Sequence, residues 1–122
     1  MKKIILLLII TFSFSLTNLE NKLISYTLEK IFNKKFLIVY TNEKVYPPLI
    51  KAKCNKNVDI VIGNLNCLNK PKFLFSYQSL IKDKNAIGAF YWSHGRPQII
   101  FLKKRLKEFN LSIPKELYEY IY

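Results

Sequence analysis

The chain has 122 residues, half of them hydrophobic, which is enough for one domain with a real core. Its formal net charge of +12 comes from 20 Lys and Arg against 8 Asp and Glu, and it holds 2 Cys and 1 His. Two Cys and one His lack the fourth ligand and the spacing of a zinc site, and no nucleophile motif accompanies the single His in a triad. No metal or cofactor is expected. Only Arg96 and Arg105 break the run of Lys among the basic residues, which are scattered beside many Asn. A nucleic-acid face would cluster Arg with exposed aromatics, so nucleic acid is not the expected partner. Attraction to an anionic membrane surface or an acidic partner suits this charge better.

In chain order, Lys2 and Lys3 precede an apolar run over 4–16 broken only by Thr11, Ser13 and Ser15. That is a charged n-region followed by an h-region of secretory length, short of the roughly 20 residues of a spanning helix. The expectation is a signal peptide over 1–17, cleaved near residues 15–17, and a single exported domain over 18–122. An uncleaved N-terminal anchor is the alternative.

Thr17-Asn18-Leu19-Glu20 forms a capping box, and Leu19, Leu23, Ile24, Leu28 and Ile31 recur at helical spacing through Phe32. Asn33-Lys34-Lys35 places cations at the negative end of that helix. Residues 36–41 (FLIVYT) read as a strand buried on both faces. Pro47-Pro48 forbids a regular helix through that point, and a short helix over 48–53 is expected after it. Further strands are predicted over 58–63 (VDIVIG) and 73–77 (FLFSY), followed by a helical turn or two over 79–85. Asp59 lies inside a strand pattern and is expected at the sheet end or paired with a Lys.

The pattern over 87–102, IGAFYW-SHGR-PQIIFL, reads as a β-hairpin with His94-Gly95 at its turn. Both arms are apolar enough to predict burial on both faces. Residues 103–109 then read as a helix, and Ser112-Ile113-Pro114 as the start of a last one, docked by Leu117, Tyr118 and Ile121. The fold class is α/β: one mixed sheet of about five strands, three parallel plus the C-terminal hairpin, with helices packed on its faces.

Candidate sites are few. Cys54 and Cys67 are an even pair in a chain read as exported, so a disulfide is the favoured state, with free or intermolecular thiols as alternatives. The strand between them is long enough that one flanking loop must fold back to bring the sulfurs together. At the hairpin, Trp92, His94, Gly95 and Arg96 are the candidate partner-binding residues. His94 is also what a general base needs, but a plain turn residue explains it better, because no carboxylate or nucleophile is arranged nearby in sequence. Phe90, Tyr91, Trp92, Tyr118, Tyr120 and Tyr122 belong to the core or to an aromatic contact surface. The C-terminal tyrosines are hard to bury all at once.

The segment from Asn85 to Leu117 resembles the closing part of the YfiR-like family of small periplasmic α/β proteins. Residues 87–92 match that family's first closing strand, Gly95-Arg96 its turn and 99–102 its second strand. Asn110-Leu111-Ser112-Ile113, followed by Lys115 and Leu117, matches its closing segment. The chain departs from the pattern where Leu102 replaces a usual Asn, where Asn85-Ala86 replaces Gly-Gly, and in a shortened front half. The resemblance implies a periplasmic regulator that binds the sensor part of an inner-membrane signalling protein, a diguanylate cyclase in the best-known members, and that forms dimers. The expected function is therefore non-enzymatic, by protein–protein contact. A small periplasmic solute-binding module is the alternative, binding at the carboxyl ends of the strands.

Overall fold

A computed structural model describes residues 21–122; the signal-peptide reading and the capping box of the first helix lie outside the described residues. Helix α1 covers 21–32. It is followed by strands β1 (Leu37–Thr41), β2 (Leu49–Lys51), β3 (Ile60–Ile62) and β4 (Lys72–Leu74), then helix α2 (Tyr77–Lys82). The hairpin strands β5 (Ala86–Ser93) and β6 (Arg96–Phe101) come next, then helix α3 (Lys103–Glu108) and a closing 3-10 helix, Lys115–Tyr120. The strands form one mixed sheet in the order β2-β1-β3-β4-β5-β6. All neighbours are parallel except β5 and β6.

The α/β class and the C-terminal hairpin are as expected. The sheet has six strands rather than about five, because 49–51 is a strand and not part of a short helix. After Pro47-Pro48 the chain is already extended, and Leu49 buries its side chain by pairing opposite Leu37. The strand expected over 73–77 lies earlier, at Lys72–Leu74, since Ser76 accepts a hydrogen bond from Ser79 N–H and opens α2 at Tyr77.

Alternation along the strands sorts the core into two faces. On one, Leu37, Val39, Ile60, Ile62, Phe73, Phe90, Ile99 and Phe101 meet Ile24, Leu28 and Ile31 of α1, Leu106 of α3 and Leu117. Leu23, expected on the apolar stripe of α1, is exposed instead, and Thr27 is buried with its hydroxyl donating to the Ile24 carbonyl at 3.0 Å. Asn33, at φ 54°, ends the helix in the left-handed conformation that Asn tolerates. The opposite face is divided. Leu74, Ala86 and Ala89 lie under Leu80 of α2, whereas Val58, Val61 and Cys67 pack with Ile38, Tyr40 and Leu65 under loops.

Those loops are where the disulfide sits. Cys54 and Cys67 are bonded, with Cα atoms 5.5 Å apart. The necessary fold-back occurs after β3: Leu65 N–H donates to the Gly63 carbonyl, and the chain returns to place Cys67 against Val61. Asp59 stands just before β3, ion-paired with Lys34 at 2.8 Å and accepting the Ile38 N–H, which agrees with the expected sheet-end position.

Ser112 differs from expectation. Its hydroxyl donates to the carbonyls of Lys30 (2.9 Å) and Ile31 (2.7 Å), so it closes the end of α1 rather than starting the last helix. That helix begins at Lys115 without a side-chain cap, after Pro114 in an extended conformation. Orphan carbonyls at the end of α1 lie within reach, and the hydroxyl satisfies them across the tertiary fold.

Candidate functional site

The hairpin begins at a bulge. Lys72 pairs with Ala86 but Phe73 with Gly88, leaving Ile87 as the extra residue on β5. Gly88 is there because Phe101 lies across it: a Cβ at this position would stand 2.4 Å from the Phe101 ring. Phe101 thereby reaches Phe73, with ring centroids 5.7 Å apart, and the base of the hairpin is locked into the core.

The distal half departs from the sequence reading. Predicted burial on both faces holds only for the base of β5; β6 is an edge strand, and its residues Arg96, Pro97 and Gln98 are exposed. The reason is topological, since no strand among the described residues lies beyond β6; only the closing segment runs beside it, where Ile121 bridges to Phe101 and Tyr122 N–H donates to the Phe101 carbonyl. Pro97 suits this edge, having no N–H to offer a neighbouring strand.

Ser93 pairs with Arg96, leaving a two-residue turn in which His94 has φ 53° and Gly95 φ 75°. Both values fit the primed turn whose twist matches the strands. Trp92 faces Pro97 across the ribbon and is braced edge-on by buried Phe90, with centroids 6.4 Å apart. Its side is the α1 side of the sheet. Arg96 shares the other side with Ser93, Tyr91 and Gln98. The four candidate residues thus meet at one tip, but the Trp and the Arg project from opposite faces of the ribbon. Trp92 is 45% exposed, and His94, Gly95 and Arg96 are exposed.

The C-terminal aromatics divide. Phe90 is core, Tyr91 and Tyr120 are half-buried, and Tyr118 and Tyr122 are exposed. A hydrogen bond with Glu119, aided by partial burial, raises the Tyr120 hydroxyl above the ordinary tyrosine pKa.

Two polar arrangements went unseen in the sequence. Lys72 is buried in β4, where its ammonium donates to Asp83 (2.8 Å) and Asn66 (2.5 Å), joining the disulfide loop to the end of α2. Arg105 of α3 donates to the carbonyls of Leu80, Ile81, Asp83 and Ala86, collecting the free end of α2 and the start of β5. The signal for the first was a lone Lys entering an apolar strand. Arg105 carried no local signal, because its acceptors are backbone groups about twenty residues away.

A solute site at the carboxyl ends of the strands would fall where the order reverses, between β1 and β3. A hollow lies there, lined by Ile24, Glu43, Lys44, Val45, Ile62 and Phe75. Its volume is about 100 Å³, below the roughly 300 Å³ at which ligand pockets begin. Among the described residues no three His, Cys, Asp or Glu side chains gather where a metal ion could be held. No helix among them is long and apolar enough to cross a membrane. No protein-family model matches the chain, and no curated protein or solved structure resembles it.

Proposed function

We propose that this is an exported, non-enzymatic protein that acts by protein–protein contact through its hairpin tip, on the sensor part of an inner-membrane signalling protein such as a diguanylate cyclase. The observation that carries the reading is the tip itself. A Trp and an Arg, residue types that dominate interface energetics, flank a two-residue turn on opposite faces of a ribbon whose base is locked into the core. A rigid presentation of that kind lowers the ordering cost of association. The disulfide and the N-terminal n- and h-regions support export. The YfiR-like pattern over the closing segment supports the class of partner.

The test is a photocrosslinker placed at Arg96 in cells, followed by mass spectrometry of the envelope fractions. A single membrane sensor protein crosslinked at the turn is the expected result. Crosslinks between copies of this chain would assign the tip to a homodimer. No crosslink at all would remove the contact reading and leave the solute-binding module as the one to pursue.

A further inference from the structure

The other end of the sheet carries a different surface. Strand β6 returns the chain to the amino-terminal ends of the parallel strands, and α3 there reads KKRLKE. Lys103, Lys104 and Lys107 are exposed, and exposed Lys84 lines one groove with Lys104, Glu108 and Tyr122. On the other side of α3, Lys103 lines a second groove with Ile113, exposed Tyr118 and Ile121. The two grooves are joined by backbone, because Lys103 N–H donates to the Tyr122 oxygen and Tyr122 N–H to the Phe101 oxygen. The result is a face on which Lys84, Lys103, Lys104 and Lys107 stand with Glu108 and two exposed tyrosines, one of them 72% exposed; Lys115, Glu116 and Glu119 are exposed on the 3-10 helix that carries Tyr118.

We infer that this face rests on an anionic phospholipid surface. Lysines are attracted to the negative potential of such a surface, and tyrosines suit the headgroup layer, where an apolar ring and a polar hydroxyl each find their medium. The composition does not suit nucleic acid: the one arginine of α3 donates to four backbone carbonyls, so no free guanidinium fork remains to grip a phosphate. The geometry also gives the surface a purpose. Strand β5 has eight residues and spans about 26 Å, so a molecule lying on α3 holds its hairpin tip well clear of the bilayer. The inference does not depend on the identity of the hairpin's partner, and vesicles contain no protein, so it can fail or succeed alone.

The test measures partitioning of the full chain to phosphatidylcholine vesicles and to vesicles containing phosphatidylglycerol. The apolar segment 4–16 is common to all variants, so the readout is the ratio of the two partition coefficients. The triple variant K103Q/K104Q/K107Q is compared with K51Q/K53Q/K56Q, which removes equal charge around the opposite edge strand. Each lysine at an anionic surface is worth roughly fivefold, so the α3 variant is expected to lose on the order of a hundredfold in that ratio and the control little. The double variant Tyr118→Ala/Tyr122→Ala is expected to lose several-fold more affinity for the anionic vesicles. Equal losses in the two triple variants would overturn the inference by reducing it to net charge. Unchanged vesicle binding, with loss of poly-glutamate binding in the α3 variant, would assign the face to an acidic protein instead.

Discussion

Gly88 shows how a single residue sets the geometry of the hairpin. Any side chain there collides with the Phe101 ring and with the Ile100 carbonyl, which is backbone and cannot swing away. Gly88→Ala is expected to cost about 1–3 kcal/mol, read as a lower denaturant midpoint at unchanged slope. Lys72 is the second such residue. Removing its partner by Asp83→Ala leaves an ammonium in the sheet with only Asn66, an expected loss of about 1.5–3 kcal/mol. The partial exposure of Asp83 and the remaining amide keep this below the cost of opening a fully dry pair. Adding Lys72→Met is expected to recover part of the loss in urea titrations, because the stranded charge is then gone. A double variant no more stable than Asp83→Ala would show that desolvation of Lys72 is not the cause.

At the scale of elements, several short pieces depend on partners supplied from afar. Helix α2 has six residues, too few to hold by itself, and its carbonyl end is gathered by Arg105. Arg105→Gln is therefore expected to cost about 2 kcal/mol, with early hydrogen exchange across Leu80–Lys82 while the amides of β1 stay protected. The crossovers around β2 and β3 contain no helix. Where a parallel sheet ordinarily receives a crossover helix, Val58, Val61 and Ile38 are covered by loops tied through Cys54–Cys67. Replacing both cysteines by Ser is expected to cost about 3 kcal/mol, seen as a fall in Tm that a reductant reproduces in the parent chain.

For the whole molecule, the sheet separates two surfaces: the hairpin tip at the carboxyl end of β5, and the lysine–tyrosine face around α3. Because the tip lies outside the core, its disruption should leave the fold largely intact. Gly95→Val forces a branched residue into φ 75° and is expected to disorder the turn at a cost of about 1–2 kcal/mol. Crosslinking from Arg96 to the proposed partner is then expected to fall sharply, while near-UV circular dichroism of the core persists. Loss of the core signal together with the crosslink would mean that the tip is part of the folding unit and not a separable contact surface.

What was legible in the residues were the features that depend on neighbours in sequence. Apolar runs announced β1, β3 and the hairpin, His94-Gly95 announced its turn, and Asn33 with its lysines announced the end of α1. These follow from local conformational preference and periodicity, which act over a few residues. The tertiary structure alone decided which strand lies at the edge, and so exposed Arg96, Pro97 and Gln98 despite the apolar context. It alone gave Ser112 and Arg105 their carbonyl partners, whereas the opposite facing of Trp92 and Arg96 follows from the two-residue turn and strand alternation. A short strand such as Leu49–Lys51 also exists only because β1 lies beside it. Three residues carry too little intrinsic preference to declare themselves, and hydrogen bonds between distant segments leave no periodic trace in the chain.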